Sequence, residues 1–205
     1  MKKVLIAFFL LAVCLFSVSC GDSDKVDAPD GMKLASSDND RFYLFVPSSW
    51  TVDVSHGGPY AYYSSSDASN ISANFYMPDA ETTDTTADTT DTTVTDTAVD
   101  TTAKAESNPR EKYIDTYWNT FTDSMNATVK EFTLIDSVET TLDSVYSKQY
   151  IYSFKIDETV YKCRMVVTYP AQNLIFCLTY TSTPDNYDKH NAEIDKVISS
   201  FKFNF

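Results

Sequence analysis

The residues that most restrict the chemistry of this 205-residue chain are its four cysteines, two histidines and four glycines. Cys20 follows the small residues Ser17-Val18-Ser19, an apolar run from Val4 to Phe16 and the basic pair Lys2-Lys3. A thiol placed there becomes the first residue after cleavage, and its expected chemistry is attachment of a lipid. His56 and His190 lie far apart, and neither His-x-x-x-His nor Cys-x-x-Cys occurs, so no metal site is expected. Gly21, Gly31, Gly57 and Gly58 never stand at phosphate-loop or dinucleotide spacing, which excludes the common nucleotide chemistries. No Gly-x-Ser-x-Gly elbow supplies a hydrolase nucleophile, and the carboxylates are too numerous for one pair to stand out. No catalytic residue and no cofactor is therefore assigned. The candidate ligand-binding residues are Tyr60, Tyr62 and Tyr63, beside the turn His56-Gly57-Gly58-Pro59, because amphipathic rings give contact area at small entropic cost. Sheet packing is expected to account for at least one of the three.

Residues 1–19 have the layout of a secretory signal, and its apolar run is too short for a transmembrane helix of about 20 residues. The segment resembles bacterial lipoprotein signals, with Ser17 departing from the leucine they favour. Without Lys2 and Lys3 the 16 basic residues fall to 14 against 29 acidic ones, a formal charge of −15. Nucleic acid and anionic headgroups are repelled by such a chain, so contact with a membrane must come through lipid on Cys20. Residues 20–40 are polar, acidic and poor in aromatics, which reads as a flexible linker between anchor and domain.

Beyond the linker, strand signals come first. Phe42, Leu44 and Val46 alternate with Tyr43 and Phe45, Trp50, Val52 and Val54 share a face, and strands follow at 60–64 and 71–77, the last with Ile71, Ala73, Phe75 and Met77 inward. Four strands are thus expected before residue 80. From 81 to 103, 12 of 23 residues are threonine, six are acidic and none is basic, a composition that forms no packed core and reads as a disordered insertion. A helix is predicted next, with Asn108 as cap, Pro109 first, and Ile114, Tyr117, Trp118, Phe121 and Met125 as its core-facing stripe. A strand over 131–138 leads into a meander to Thr181. Turns at Asp157-Glu158 and Ala171-Gln172 would pair residues whose numbers sum to 315 and 343. That register sets Cys163 and Cys177 on opposite faces, which bars a disulfide between them. Thr183 and Pro184 begin a last helix with Tyr187, Ile194, Val197, Ile198 and Phe201 buried.

The order of elements, with the phrases FYLFVPSSW at 42–50, NISANFYM at 70–77 and YDKHNAEIDKVISSFKF at 187–203, resembles the PsbP-like superfamily, in particular its bacterial lipoprotein and DcrB-like branches. The resemblance covers 40–205 and implies an α+β fold, an antiparallel β-sheet flanked by helices as an α-β-α sandwich, in a single domain over 41–205. Members of the family that are extrinsic photosystem subunits act by docking on a membrane complex, but the resemblance speaks to fold and no functional residue is carried over from it. The expected function is a lipid-anchored extracytoplasmic binding or accessory domain, held in the cell envelope by Cys20 and serving an envelope protein or glycan. A carboxylate-dependent envelope hydrolase and a structural stalk-type surface protein are the alternatives. Mass spectrometry of the mature N-terminus is predicted to show a Cys20 peptide carrying diacylglycerol, whereas an unmodified Cys20 peptide removes the anchor.

Overall fold

The computed structural model describes residues 26–36, 41–55, 58–77 and 108–205. The signal segment, Cys20, His56 and the threonine-rich stretch at 81–103 lie outside them. Among the described residues six strands come before the first helix: β1 Met32–Leu34, β2 Phe42–Tyr43, β3 Phe45–Pro47, β4 Thr51–Asp53, β5 Tyr60–Ser64 and β6 Asp67–Tyr76. Helix α1, Glu111–Thr128, is followed by four long strands, β7 Lys130–Leu142, β8 Val145–Ile156, β9 Thr159–Ala171 and β10 Leu174–Ser182. The chain ends in α2 Pro184–Tyr187, a short 3-10 turn, α3 Asn191–Ser200 and β11 Lys202–Phe203. Seven strands form one antiparallel sheet in the order β4-β5-β6-β10-β9-β8-β7, and the short pairs β1-β3 and β11-β2 lie outside it. No helix among the described residues is long and apolar enough to cross a membrane.

This order follows from one crossover. After β6 the chain passes through α1 to the far edge of the sheet, and the β7-β8-β9-β10 meander then returns until β10 pairs with β6. Helix α1 lies across the strands it bridges. Its Ile114 and Trp118 are buried against Tyr150, Tyr152, Cys163, Met165, Val167, Ile175 and Cys177. The opposite face of the sheet is closed by α2 and α3, whose Tyr187, Ile194 and Val197 pack with Phe201 on Val166, Phe176, Leu178 and Tyr180. Leu174 to Leu178 is an unbroken apolar run because both of its faces are covered, as in strands at the centre of a sheet. Low glycine content does not prevent the tight turns: Asp143, Ser144, Asp157 and Asn173 take positive φ values of 47°, 64°, 51° and 56° in the three hairpins. Asp and Asn tolerate that region better than most residues.

The β8-β9 register has the expected sum of 315, from Ser147 opposite Thr168 to Ile156 opposite Thr159. The β9-β10 register does not. Leu174 opposes Ala171, a sum of 345, and Phe176 opposes Thr168, a sum of 344, with a bulge between them. The turn thus lies one residue later than expected, and Tyr169-Pro170 then stand against the single residue Ile175. Pro170 has no N–H to give a ladder, which makes it the residue that a bulge accommodates. The one-residue shift reverses the reading of the thiols. Cys163 opposes Thr181, not Tyr180, and Cys177 opposes Val167, so both point to the α1 face. They are nevertheless free. Four residues of strand separate Cys163 from the partner of Cys177, roughly 13 Å at the usual rise, well beyond disulfide reach. Burial pushes the two thiols up to about 11 and about 12, which leaves them as apolar packing groups.

Three further expectations are corrected. The linker does not extend to residue 40, because β1 pairs with β3, Ala35 donates its N–H to the Leu44 carbonyl at 2.7 Å, and buried Ser36 accepts the Leu44 N–H at 3.0 Å. The domain therefore begins before Met32, and six strands rather than four precede residue 80. Met77 and Val54, expected inward, are 82% and 60% exposed, since each lies just past the end of its strand. Helix α1 starts at Glu111, two residues after Pro109: Asn108 closes a turn by accepting the Arg110 N–H at 3.0 Å, and Glu111 turns to the sheet instead of back to a cap.

Candidate functional site

The two edges of the sheet are unequal. β4 is three residues long, a length that leaves little backbone to pair, whereas β7 runs for 13 residues and, among the described residues, pairs only with β8. Along β7 the side chains of Leu134, Ile135 and Val138 are 45%, 53% and 49% exposed. Between this edge and α1 lies an open groove of about 370 Å³, lined by Asp115, Trp118, Leu134, Ser137, Val138, Glu139, Lys148 and Tyr150. Its lining mixes charged and polar side chains with aromatic and aliphatic ones in about equal share.

The floor is rigid. Trp118 stacks on Tyr150 with ring centroids 3.7 Å apart and planes 2° from parallel, and Phe121, Phe132 and Tyr152 pack around the pair. Spacing along α1 brings this about: Ile114, Trp118, Phe121 and Met125 recur at three and four residues, so one stripe meets the sheet. At one end Lys148 donates to Glu111 Oε1 at 2.7 Å and Asp115 Oδ1 at 2.8 Å. Burial alone would lower that ammonium, but the two carboxylates outweigh it and hold Lys148 above its ordinary value. Burial likewise pushes the Tyr150 and Tyr152 hydroxyls well above the usual range, with nearby Asp115 and Cys163 adding to the effect, so both remain neutral. The neighbouring Tyr146 hydroxyl is enclosed and has no hydrogen-bond partner among the described residues.

The three candidate tyrosines do not form one patch. Tyr60 and Tyr62 share a face of β5, with ring centroids 6.0 Å apart, and burial raises the Tyr60 hydroxyl above its ordinary value. Strand alternation places Tyr63 on the other side, where its ring lies 4.5 Å from that of His190 and 6.2 Å from that of Trp50. β5 lies near the opposite end of the sheet from the groove.

Around His190 the structure assembles a second polar cluster that the sequence separates by more than 120 positions. His190 Nδ1 lies 2.7 Å from Glu193 Oε2 and Nε2 lies 3.4 Å from Asp67 Oδ2, while fully buried Trp50 donates its indole N–H to the same Glu193 oxygen at 3.3 Å. Beneath it the hydroxyls of Ser69 and Ser182 share a 2.7 Å hydrogen bond. Two carboxylates converge here, but on an imidazole that holds both. The arrangement ties β4, β5 and β6 to the 3-10 turn and α3. Burial would raise the Asp67 carboxyl, yet hydrogen bonds from Ser69 and His190 more than offset that and hold it below its ordinary value. Among the described residues no group of three metal-ligating side chains occurs.

Comparison with solved structures identifies the architecture. The solution structure of the cyanobacterial PsbP protein CyanoP from Synechocystis matches over 90% of this chain and 97% of that one, with a TM-score of 0.51 and 15% identity. The fold is PsbP-like. LpqN of Mycobacterium tuberculosis, described as involved in cell envelope biogenesis, matches over 85% of this chain and 92% of its own length, with a TM-score of 0.52 and 13% identity. At such identities the likeness is one of PsbP-like fold, and function rests on the site. The chain matches no protein-family profile and no curated protein.

The lowered Asp67 carboxyl fixes the sign of a pH effect. Its contribution to stability is present above the ordinary aspartate value of 3.8 and is lost as the pH falls through the lowered one. Asp67→Asn is predicted to cost about 1.5–3 kcal/mol at neutral pH, the order of hydrogen bonds to a charged group, and to flatten the acid limb of the stability profile. Urea unfolding at pH 7 and pH 3 measures both, and an unchanged acid limb contradicts the role given to Asp67.

Proposed function

We infer that the chain is a lipid-anchored extracytoplasmic binding module, without catalytic activity of its own, that docks an envelope protein in the groove between α1 and β7. The observation that carries this is the groove itself, an aromatic floor and exposed aliphatic wall beside a 13-residue strand with one free edge. Exposed apolar side chains on a long edge strand invite association, and an uncovered edge of this kind is otherwise an aggregation hazard. The Trp118 face is already occupied by Tyr150, so stacking against a sugar ring is not available there, and this favours a protein over a glycan. Lipid on Cys20 supplies the address, since a strongly acidic chain has no electrostatic route to an anionic surface. The PsbP-like fold, and the involvement in cell envelope biogenesis described for the similarly folded LpqN, are in keeping with an extracytoplasmic domain.

The carboxylate-hydrolase alternative has one specific feature to consider, the convergence of Asp67 and Glu193. Both lie within hydrogen-bond distance of His190 in a cluster that links β6 to the 3-10 turn and α3, a position that accounts for them as structural contacts. Photo-crosslinking in intact cells tests the docking reading. With a crosslinking side chain at Leu134 or Ser137, a discrete protein adduct is expected that is absent when the same side chain replaces Lys196 on α3. Equal adducts from both faces, or none from either groove position, overturn it.

A further inference from the structure

We propose that the partner presents an extended basic segment that adds to the edge of β7 over Asp136–Leu142, with its lysines or arginines toward the groove-side carboxylates and its apolar side chains beside Val138 on the opposite face. The inference rests on the docking reading above and names the chemistry of what docks.

The backbone supplies the first argument. The N-terminal half of β7 is interrupted, with register shifts between Lys130 and Thr133 and between Leu134 and Asp136, and Glu131 has a positive φ of 54°. Such irregularities blunt an edge. From Asp136 to Leu142 the pairing with β8 is unbroken, from Ile151 to Val145, so this stretch presents a regular edge as long as an ordinary strand. An added strand there would gain a ladder of main-chain hydrogen bonds, while alternate side chains would fall on the two faces. The cross-strand partners define those faces. Ser137 and Glu139 stand opposite Tyr150 and Lys148 on the α1 side, and Val138 stands opposite Gln149 on the other.

Charge supplies the second argument. Around the groove and this edge stand four carboxylates, Glu111, Asp115, Asp136 and Glu139, against the single ammonium of Lys148. Lys148 is already held by Glu111 and Asp115, and Asp136 and Glu139 have no ion pair among the described residues. A basic segment answers that excess, and an acidic one is repelled. The same pattern disfavours a second copy of the chain. In a two-fold antiparallel pairing centred on Asp136 or on Glu139 that carboxylate meets its own copy, and like charges directly opposite are destabilising.

The test uses the full mature chain and three synthetic decapeptides: one alternating lysine with isoleucine, one with glutamate in place of lysine, and one of the lysine sequence N-methylated at alternate backbone positions. The lysine peptide is expected to bind at least about tenfold tighter than the glutamate peptide, and the preference is expected to shrink with added salt. Backbone methylation is expected to remove binding. The double variant Asp136→Lys, Glu139→Lys, at two exposed positions, is expected to reverse the preference while leaving thermal unfolding within a few degrees of the parent. Equal binding of the lysine and glutamate peptides, binding insensitive to backbone methylation, or a preference unchanged by the double variant overturns the proposal. Self-association of the chain that the lysine peptide fails to compete away overturns it as well. A groove-specific adduct in cells together with no peptide preference defeats the basic-segment proposal alone, whereas absence of groove adducts defeats the docking reading beneath it.

Discussion

Everything in this molecule depends on the pairing of β9 with β10, two strands buried on both faces at the middle of the sheet. Val166, Phe176, Leu178 and Tyr180 serve the core under α2 and α3, while Cys163, Met165, Val167, Ile175 and Cys177 serve the core under α1. Because side chains alternate with a period of two, a slip of one residue would exchange these sets and place every β10 side chain against the wrong helix. The bulge at Tyr169-Pro170 prevents that slip by fixing which residues of β10 face which residues of β9. Two separate hydrophobic clusters, each incomplete without the central strands, thereby become one folding unit.

With the centre fixed, the edges acquire their characters. At one end the sheet narrows to the three-residue β4, with the His190 cluster binding β4, β5 and β6 to the C-terminal helix. At the other end it stops at β7, which among the described residues pairs only with β8 and whose aliphatic side chains are exposed. The rigid end is stabilised by buried polar contacts between elements distant in sequence. The open end keeps a rigid floor, Trp118 on Tyr150, under an unpaired strand. A domain that acts by contact requires this combination, because a pre-formed surface loses little conformational freedom when a partner arrives.

Much of this was legible in the sequence because it is periodic. The α1 stripe, the C-terminal helix stripe and the β8-β9 register were readable from spacing alone, since in each case one face is apolar and the turn has two residues. The β9-β10 register was not, although Pro170 marked the bulge: a missing N–H is a local fact, and its effect on pairing depends on the strand opposite. The apolar run Leu174–Leu178 read as alternation because a strand covered on both faces gives no periodic signal. The groove was least legible. Trp118 and Tyr150 were each read as core residues, and core residues they are, but that the strand beyond them is an uncovered edge is a property of topology. Nor does spacing relate Trp50 and Asp67 to His190 and Glu193, which meet only when α3 folds over the sheet.

The central pairing is also the most direct thing to measure. In an antiparallel sheet, residues directly opposite bring their backbones within about 4.5–5.5 Å, close enough for strong proton contacts across the strands. Cross-strand nuclear Overhauser contacts on the isotope-labelled mature chain are predicted to join Cys163 to Thr181 and Val167 to Cys177. Contacts joining Cys163 to Tyr180 instead would put the two thiols on opposite faces, exchange the two cores and contradict the account.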